Sequence, residues 1–159
     1  EQHIKRDKAT SNICTAQALL ANISANYAVY HGPVRLQKIA KRVYGFTSIL
    51  ANFIRENSSH EIKNGQWFDT LTIKLNGVSA DEILQKAVDQ YQINLFKVDD
   101  STVSLSLDES VVIKDLVALT ELFTGKQIPI ESLNEFPDFP SSLTRTDKIL
   151  SNPVFNFFF

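Results

Sequence analysis

Phe68-Asp69-Thr70-Leu71-Thr72-Ile73-Lys74-Leu75, then Asn76-Gly77, then Ser79-Ala80-Asp81-Glu82, is the stretch that decides the fold class of this chain. Its first eight residues alternate apolar and polar side chains, the period of a strand with one buried face. Asn76-Gly77 turns the chain, because both residues tolerate backbone conformations that others avoid. Ser79 and Glu82 then stand three apart, the spacing of a capping box, and open a helix that runs to Gln92. Ile83, Leu84, Ala87, Val88 and Tyr91 fall on one side of it. A strand that hands over so directly to an amphipathic helix predicts mixed α and β structure.

Outward from there, Ile93–Val98 and Thr102–Leu107 pair as a hairpin about Asp99-Asp100-Ser101. A last helix over Val112–Thr124 closes on Gly125. Upstream, Glu61–Lys63 is a shorter strand candidate, and Val34–Glu56 is an amphipathic helix. Leu36, Ile39, Ala40, Val43, Thr47, Leu50, Phe53 and Ile54 form its stripe, with Arg35, Lys38, Lys41, Arg42 and Arg55 elsewhere. Those cations suit either an acidic partner or a solvated face. Gly45 sits inside this helix at a cost of about 1 kcal/mol relative to Ala. The order α-β-α-β-β-α implies a small α+β layer, a sheet with helices on one face. After Gly125 the periodicity fades, and Pro129, Pro137, Pro140 and Pro153 mark loops packed onto the domain.

The segment before Val34 differs. Glu1–Lys8 mixes both signs of charge, suiting either a phosphate neighbourhood or a solvated loop. Asn12–Tyr30 then reads as a helix that is apolar on nearly every side, ended by Gly32 and Pro33. Such a helix needs partners on several faces, and one small domain offers few. Thr10, Ser11 and Asn12 stand at its start. Their hydroxyl and amide groups suit a phosphate at a helix N-terminus, and they equally suit an ordinary cap. Cys14 has two readings as well: a redox-sensitive thiolate favoured by the helix terminus, or a small buried hydrophobe.

Composition narrows the function classes. The chain has 159 residues, 43% of them hydrophobic and 21% charged, the balance of one ordinary domain or of a domain with part of another. A net charge of -2 gives no reason to expect nucleic acid or an anionic membrane as partner. The longest uncharged run, Ala9–Tyr30, carries Ser11, Asn12, Gln17, Asn22, Ser24 and Asn26, too polar for a membrane span. One cysteine excludes an internal disulfide. His3, His31 and His60 are too dispersed for a metal triad, so no metal is assigned. Asp108-Glu109 reads as a pair of helix-dipole partners rather than an acid–base couple.

Glu1–Lys8, Ala9–Ala21 and Tyr27-Ala28-Val29-Tyr30-His31-Gly32 resemble the glycine decarboxylase family, the P-protein of the glycine cleavage system. The likeness continues more loosely through Trp67–Leu75, Ser106-Leu107-Asp108-Glu109 and Arg145-Thr146-Asp147, and its wording is closest to fungal members. It corresponds to the end of the family's N-terminal half.

The resemblance implies a fold-type-I pyridoxal-phosphate-dependent transferase architecture, α/β and α+β. Residues 1–31 would be the end of a large domain, 32–125 the small C-terminal α+β domain, and 126–159 a Pro-containing loop extension. It implies a piece of a larger enzyme with both flanks missing, among them the catalytic half that follows Phe159 and any targeting sequence. That enzyme decarboxylates glycine with pyridoxal phosphate and passes the aminomethyl group to the lipoyl arm of the H-protein. A homodimer in mitochondria is the expected setting. The cofactor lysine of the family lies in a Gly-rich motif of the other half, and no motif of this chain matches it. The expectation is therefore a segment without catalytic residues of its own. Thr10, Ser11 and Asn12 would lie at the interface of the halves, near the cofactor phosphate. The alternative is a free-standing α+β interaction or regulatory domain that kept this sequence.

Overall fold

The structure, a computed structural model, describes residues 15–133 and 136–157. Two units divide the chain, one of residues 38–145 and one that holds the described residues 15–37 and 146–157.

In the unit Lys38–Arg145 the alternating stretch does become a strand. β2 (Thr70–Lys74) buries Leu71 and Ile73 and turns Thr70 and Thr72 the other way. It pairs with β1 (Glu61–Ile62) on one side and β4 (Thr102–Ser106) on the other. β3 (Phe96–Asp99) completes an antiparallel sheet of order β1-β2-β4-β3. Leu71 lies opposite Leu105 and Ile73 opposite Val103, so the central strands share one apolar face. The opposite face carries hydroxyls, with Thr70 Oγ1 and Ser106 Oγ 2.7 Å apart.

The helices supply the other half of the core. α1 (Thr15–Asn57) contributes Phe46, Leu50, Ala51 and Ile54, all within this unit. α2 (Ala80–Tyr91) adds Ala80, Ile83 and Ala87, and α3 (Ile113–Thr124) adds Leu116, Leu119, Leu122 and Phe123. This is the helices-on-one-face layer that the sequence predicts. Thr47 and Thr120 are buried in it without penalty, because each hydroxyl donates to a carbonyl of its own helix, Val43 and Val117.

The capping box forms as read. Ser79 Oγ accepts from the Glu82 N–H, while the Ser79 N–H donates to Glu82 Oε2 at 2.9 Å. α3 has only the reciprocal half, the Val112 N–H donating to Asp115 Oδ2 at 2.9 Å. The hairpin strand is shorter than expected, starting at Phe96 rather than Ile93. Gln92 takes a left-handed φ of 57° at the end of α2, and the Ile93 N–H caps the Ala87 carbonyl instead of joining the sheet.

The segment after Gly125 is more ordered than its prolines suggest. It holds 3-10 turns at Ile130–Leu133 and Ser141–Leu143 and an aromatic strap between them. Phe136 meets Phe46 edge-on at 5.6 Å, and Phe139 meets Tyr44 at 4.9 Å and Phe68 at 5.9 Å. A Cβ on Gly45 would stand 2.4 Å from the Phe136 ring. Gly45 is therefore a notch cut into α1 so that the strap can lie against it, which offsets its poor helix propensity.

In the other unit, the helical run of α1 breaks at Gly32 (φ 62°, ψ 175°), and Pro33 follows. The break falls where the sequence places the end of the first helix. His31 is flanked by Tyr27 at 4.3 Å and Tyr30 at 4.9 Å. Pro153–Asn156 forms a short 3-10 turn capped by Asn152, whose Oδ1 accepts from the Val154 N–H.

Candidate functional site

Thr10, Ser11, Asn12 and Cys14, the residues singled out by sequence, lie outside the described residues, as does Glu1–Lys8. What the described residues contribute is a test of whether they could hold the implied cofactor. A Schiff-base lysine needs an enclosing pocket that lowers its pKa. Among the described residues every lysine is exposed or half-exposed. Lys97 goes the wrong way: hydrogen bonds to Asp81 and then Asp100 hold its ammonium above the usual range. Two cavities of about 470 and 510 Å³ are lined by Ile49, Asn52, Phe53, Glu56, Asn57, Ile128, Phe136 and Pro137, and by Asn94, Leu95, Phe96, Ser104, Leu105 and Ser106. Neither contains a lysine. The described residues do not fit covalent pyridoxal phosphate, and they include no cluster of His, Cys, Asp and Glu suited to a metal.

The other shifted groups have local structural causes. Asp108 is held below the usual carboxylate range by the Ser110 hydroxyl, then by the Ser110 N–H, at 2.6 and 2.8 Å. It closes a turn on itself, and the carbonyl of its neighbour Glu109 accepts from Arg42. The acid in the first turn of α3 is Asp115 rather than Asp108 or Glu109. Asp99 is lowered by the Ser101 N–H, and Glu82 by the Ser79 N–H of the capping box.

Of the cations on α1, two are structural. The Arg42 guanidinium lies 4.6 Å from the Phe46 ring centre and donates to the carbonyls of Glu109 and Val111. Arg55 covers Trp67 at 4.8 Å, while the indole N–H donates to Ser48 Oγ at 2.9 Å. Lys38 and Lys41 remain on the wet face.

The feature that needs a partner is the first part of α1. Leu19, Leu20 and Ile23 are 62%, 65% and 54% exposed, and every residue from 17 to 26 faces solvent. Exposed apolar side chains at spacing i, i+1, i+4 on one helix mark a surface for contact rather than for chemistry. No helix among the described residues is long and apolar enough to cross a membrane. The sequence indicates this surface through its all-round apolar pattern. The Gly45–Phe136 notch carries no comparable signal, since its two halves are far apart in the chain.

Comparison with known proteins accords with this picture. A family model described as Glycine cleavage system P-protein matches residues 1–123. Glycine dehydrogenase (decarboxylating) 1, mitochondrial, of Arabidopsis thaliana is 43% identical over 99% of this chain, which spans 15% of that protein. A glycine dehydrogenase (decarboxylating) of Photobacterium profundum is 46% identical over 98% of the chain, covering 16% of its own length. A mitochondrial relative of the same name in Schizosaccharomyces pombe is also 46% identical over 98%, covering 17% of its length. Fungal and bacterial relatives thus stand at equal identity. Among solved structures, the crystal structure of glycine decarboxylase (P-protein) of the glycine cleavage system, in inhibitor-bound form, is similar over 76% of this chain and 28% of that one. Its TM-score is 0.60 at 22% identity, a likeness of fold.

Proposed function

The chain belongs to the glycine cleavage system P-protein family, and from that premise we propose that it acts as the closing part of the N-terminal half of a glycine dehydrogenase (decarboxylating). Identity of 43% or more across nearly the whole chain in the relatives above carries this reading. The chain spans 15 to 17% of the length of those relatives, so the parent activity belongs to a longer polypeptide. In that polypeptide residues 1–31 end a large domain, 32–125 form the small domain, and 126–159 lead onward. The exposed apolar helix of α1 supports this arrangement, because its leucines call for neighbours.

Pyridoxal phosphate acts as an electron sink for decarboxylation, and its lysine belongs to the C-terminal half. The role of this chain is scaffolding. Thr10, Ser11 and Asn12 lie beside the cofactor phosphate at the interface of the halves, and Cys14 near them is oxidation-sensitive. Glycine is the substrate, the lipoyl group of the H-protein receives the aminomethyl group, and two copies form a homodimer. The working compartment is mitochondrial, as named for the plant and yeast relatives.

The test compares the 159-residue chain with a polypeptide extended to family length, reading cofactor absorbance and CO₂ release from glycine. The expected result is both signals in the long polypeptide and neither in the chain alone. Either signal from the chain alone would overturn the scaffolding role. Thr10→Ala with Ser11→Ala in the long polypeptide should weaken cofactor retention, and unchanged retention and turnover would reject the phosphate contact. Alkylation at Cys14 without loss of activity would reject the oxidation-sensitive role. The second reading, a free-standing interaction domain, draws on the closed core of the unit Lys38–Arg145. A native product no longer than this chain would favour it.

A further inference from the structure

β1 is too short to hold itself by its ladder. It has two register pairs, Glu61 with Lys74 and Ile62 with Ile73, followed by one hydrogen bond from the Lys63 N–H to the Thr72 carbonyl at 2.9 Å. Side chains pin both of its ends. At one end Asn64 Oδ1 accepts from the Thr72 N–H at 2.7 Å. At the other, His60 Nδ1 accepts from the Asn76 N–H at 3.1 Å, and the Asn76 side-chain amide donates to the Ser59 carbonyl. The His60 ring meets Phe123 of α3 edge-on at 6.4 Å. One imidazole thus ties the start of β1 to the turn after β2 and rests on α3.

The direction of the Asn76 bond decides how the tie behaves. Only neutral histidine has an acceptor nitrogen, and the imidazolium presents N–H groups on both sides. Protonation would set an N–H against the Asn76 N–H and break the tie. We propose that β1 is a proton-released cover on the outer edge of β2, with His60 as its latch.

Burial pushes the His60 pKa below its usual value, opposed by a hydrogen bond to the Phe123 backbone. The flanking elements carry Glu56 on α1, Glu61 on β1, Lys74 on β2 and Glu121 on α3, and burial is the largest cause of the shift. Because the folded pKa is depressed, the latch is fully closed above about pH 6.5 and is lost as pH falls through the folded value. Ile62 lifts with β1 and its burial opposes the release, while β2, β4 and β3 keep their own ladders, so the release is local. Below that pH the Thr72 backbone becomes open to pairing with another strand.

Nuclear magnetic resonance of the labelled 159-residue chain tests this. At pH 7.5 the His60 Nδ1 should be unprotonated, and the ring should titrate below 6.5. Between pH 7.5 and 5.0 the protection factors of the Asn76 and Lys63 amides, corrected for intrinsic exchange, should fall. Those of Leu75 and Leu107, bonded to the Ser101 and Asp69 carbonyls, should hold. His60→Gln, which keeps an acceptor but does not titrate, should flatten the pH dependence. A protonated Nδ1 at pH 7.5, a pKa at or above 6.5, unchanged Asn76 protection, or a fall shared equally by all four amides would each overturn the proposal. The titration of the unmutated chain decides it even where a variant fails to fold.

Discussion

Leu20 and Leu50 lie in the two helices on either side of the break at Gly32; Leu20 is 65% exposed and Leu50 is fully enclosed. Composition does not separate them, since both lie in stretches rich in Ala, Leu and Ile. What differs is the pattern around them. Residues 34–56 confine their apolar side chains largely to a stripe, which a single sheet can cover. Residues 15–30 spread theirs around the helix. An apolar helix is stabilised only to the extent that neighbours remove its surface from water. The enclosed region marks what this chain folds by itself, and the exposed one marks where a larger assembly is expected to meet it.

Truncations on the two sides give the largest contrast. Leu71→Ala, at a fully buried position facing Leu105, should cost about 2–5 kcal/mol in urea unfolding. Leu20→Ala should change stability by no more than about 0.5 kcal/mol while reducing self-association of the chain. Equal costs would erase the distinction between the regions.

The notch sharpens it next. Gly45→Ala should destabilise by about 1–3 kcal/mol, because the atoms in the way belong to the Phe136 Cβ and the root of its ring. The strap itself must shift, which a far side-chain end would not require. With Phe136→Gly already in place, which removes the Cβ as well as the ring, the same Gly45→Ala should cost nothing and add up to about 1 kcal/mol of helix propensity. A double-mutant cycle without coupling would remove the notch from the account.

The smallest effect in the enclosed region is the cap. Ser79→Ala should cost about 1 kcal/mol by calorimetry. Glu82 shares that box and titrates below its usual value, so its contribution is present above about pH 4.5 and is lost as pH falls through the folded pKa. A cap worth the same at pH 2.5 as at pH 7 would reject the reciprocal bond from the Ser79 N–H.

Local signals were legible in the sequence and long-range ones were not. Ser79–Glu82 and the Leu71–Ile73 alternation are read within a few residues, and both stand in the structure. β3 starts later than β propensity suggests because the Ile93 N–H caps α2, a tertiary choice that the sequence does not reveal. Gly45 reads as a plain cost until Phe136 is placed beside it. The cations Arg42 and Arg55 read as a wet face, whereas Arg42 donates to the distant Glu109 and Val111 carbonyls and Arg55 covers Trp67. Thr10, Ser11, Asn12 and Cys14 rest on residue chemistry alone, since the described residues begin at Thr15.

The central claim is that this chain works inside a longer glycine dehydrogenase. Its most direct test is the size of the native polypeptide, by immunoblot of source-cell extracts with an antibody to this segment. A band several-fold larger than 17.9 kDa, fractionating with mitochondria, is the predicted result. A sole band at 17.9 kDa would contradict it and leave the free-standing interaction domain as the account of this chain.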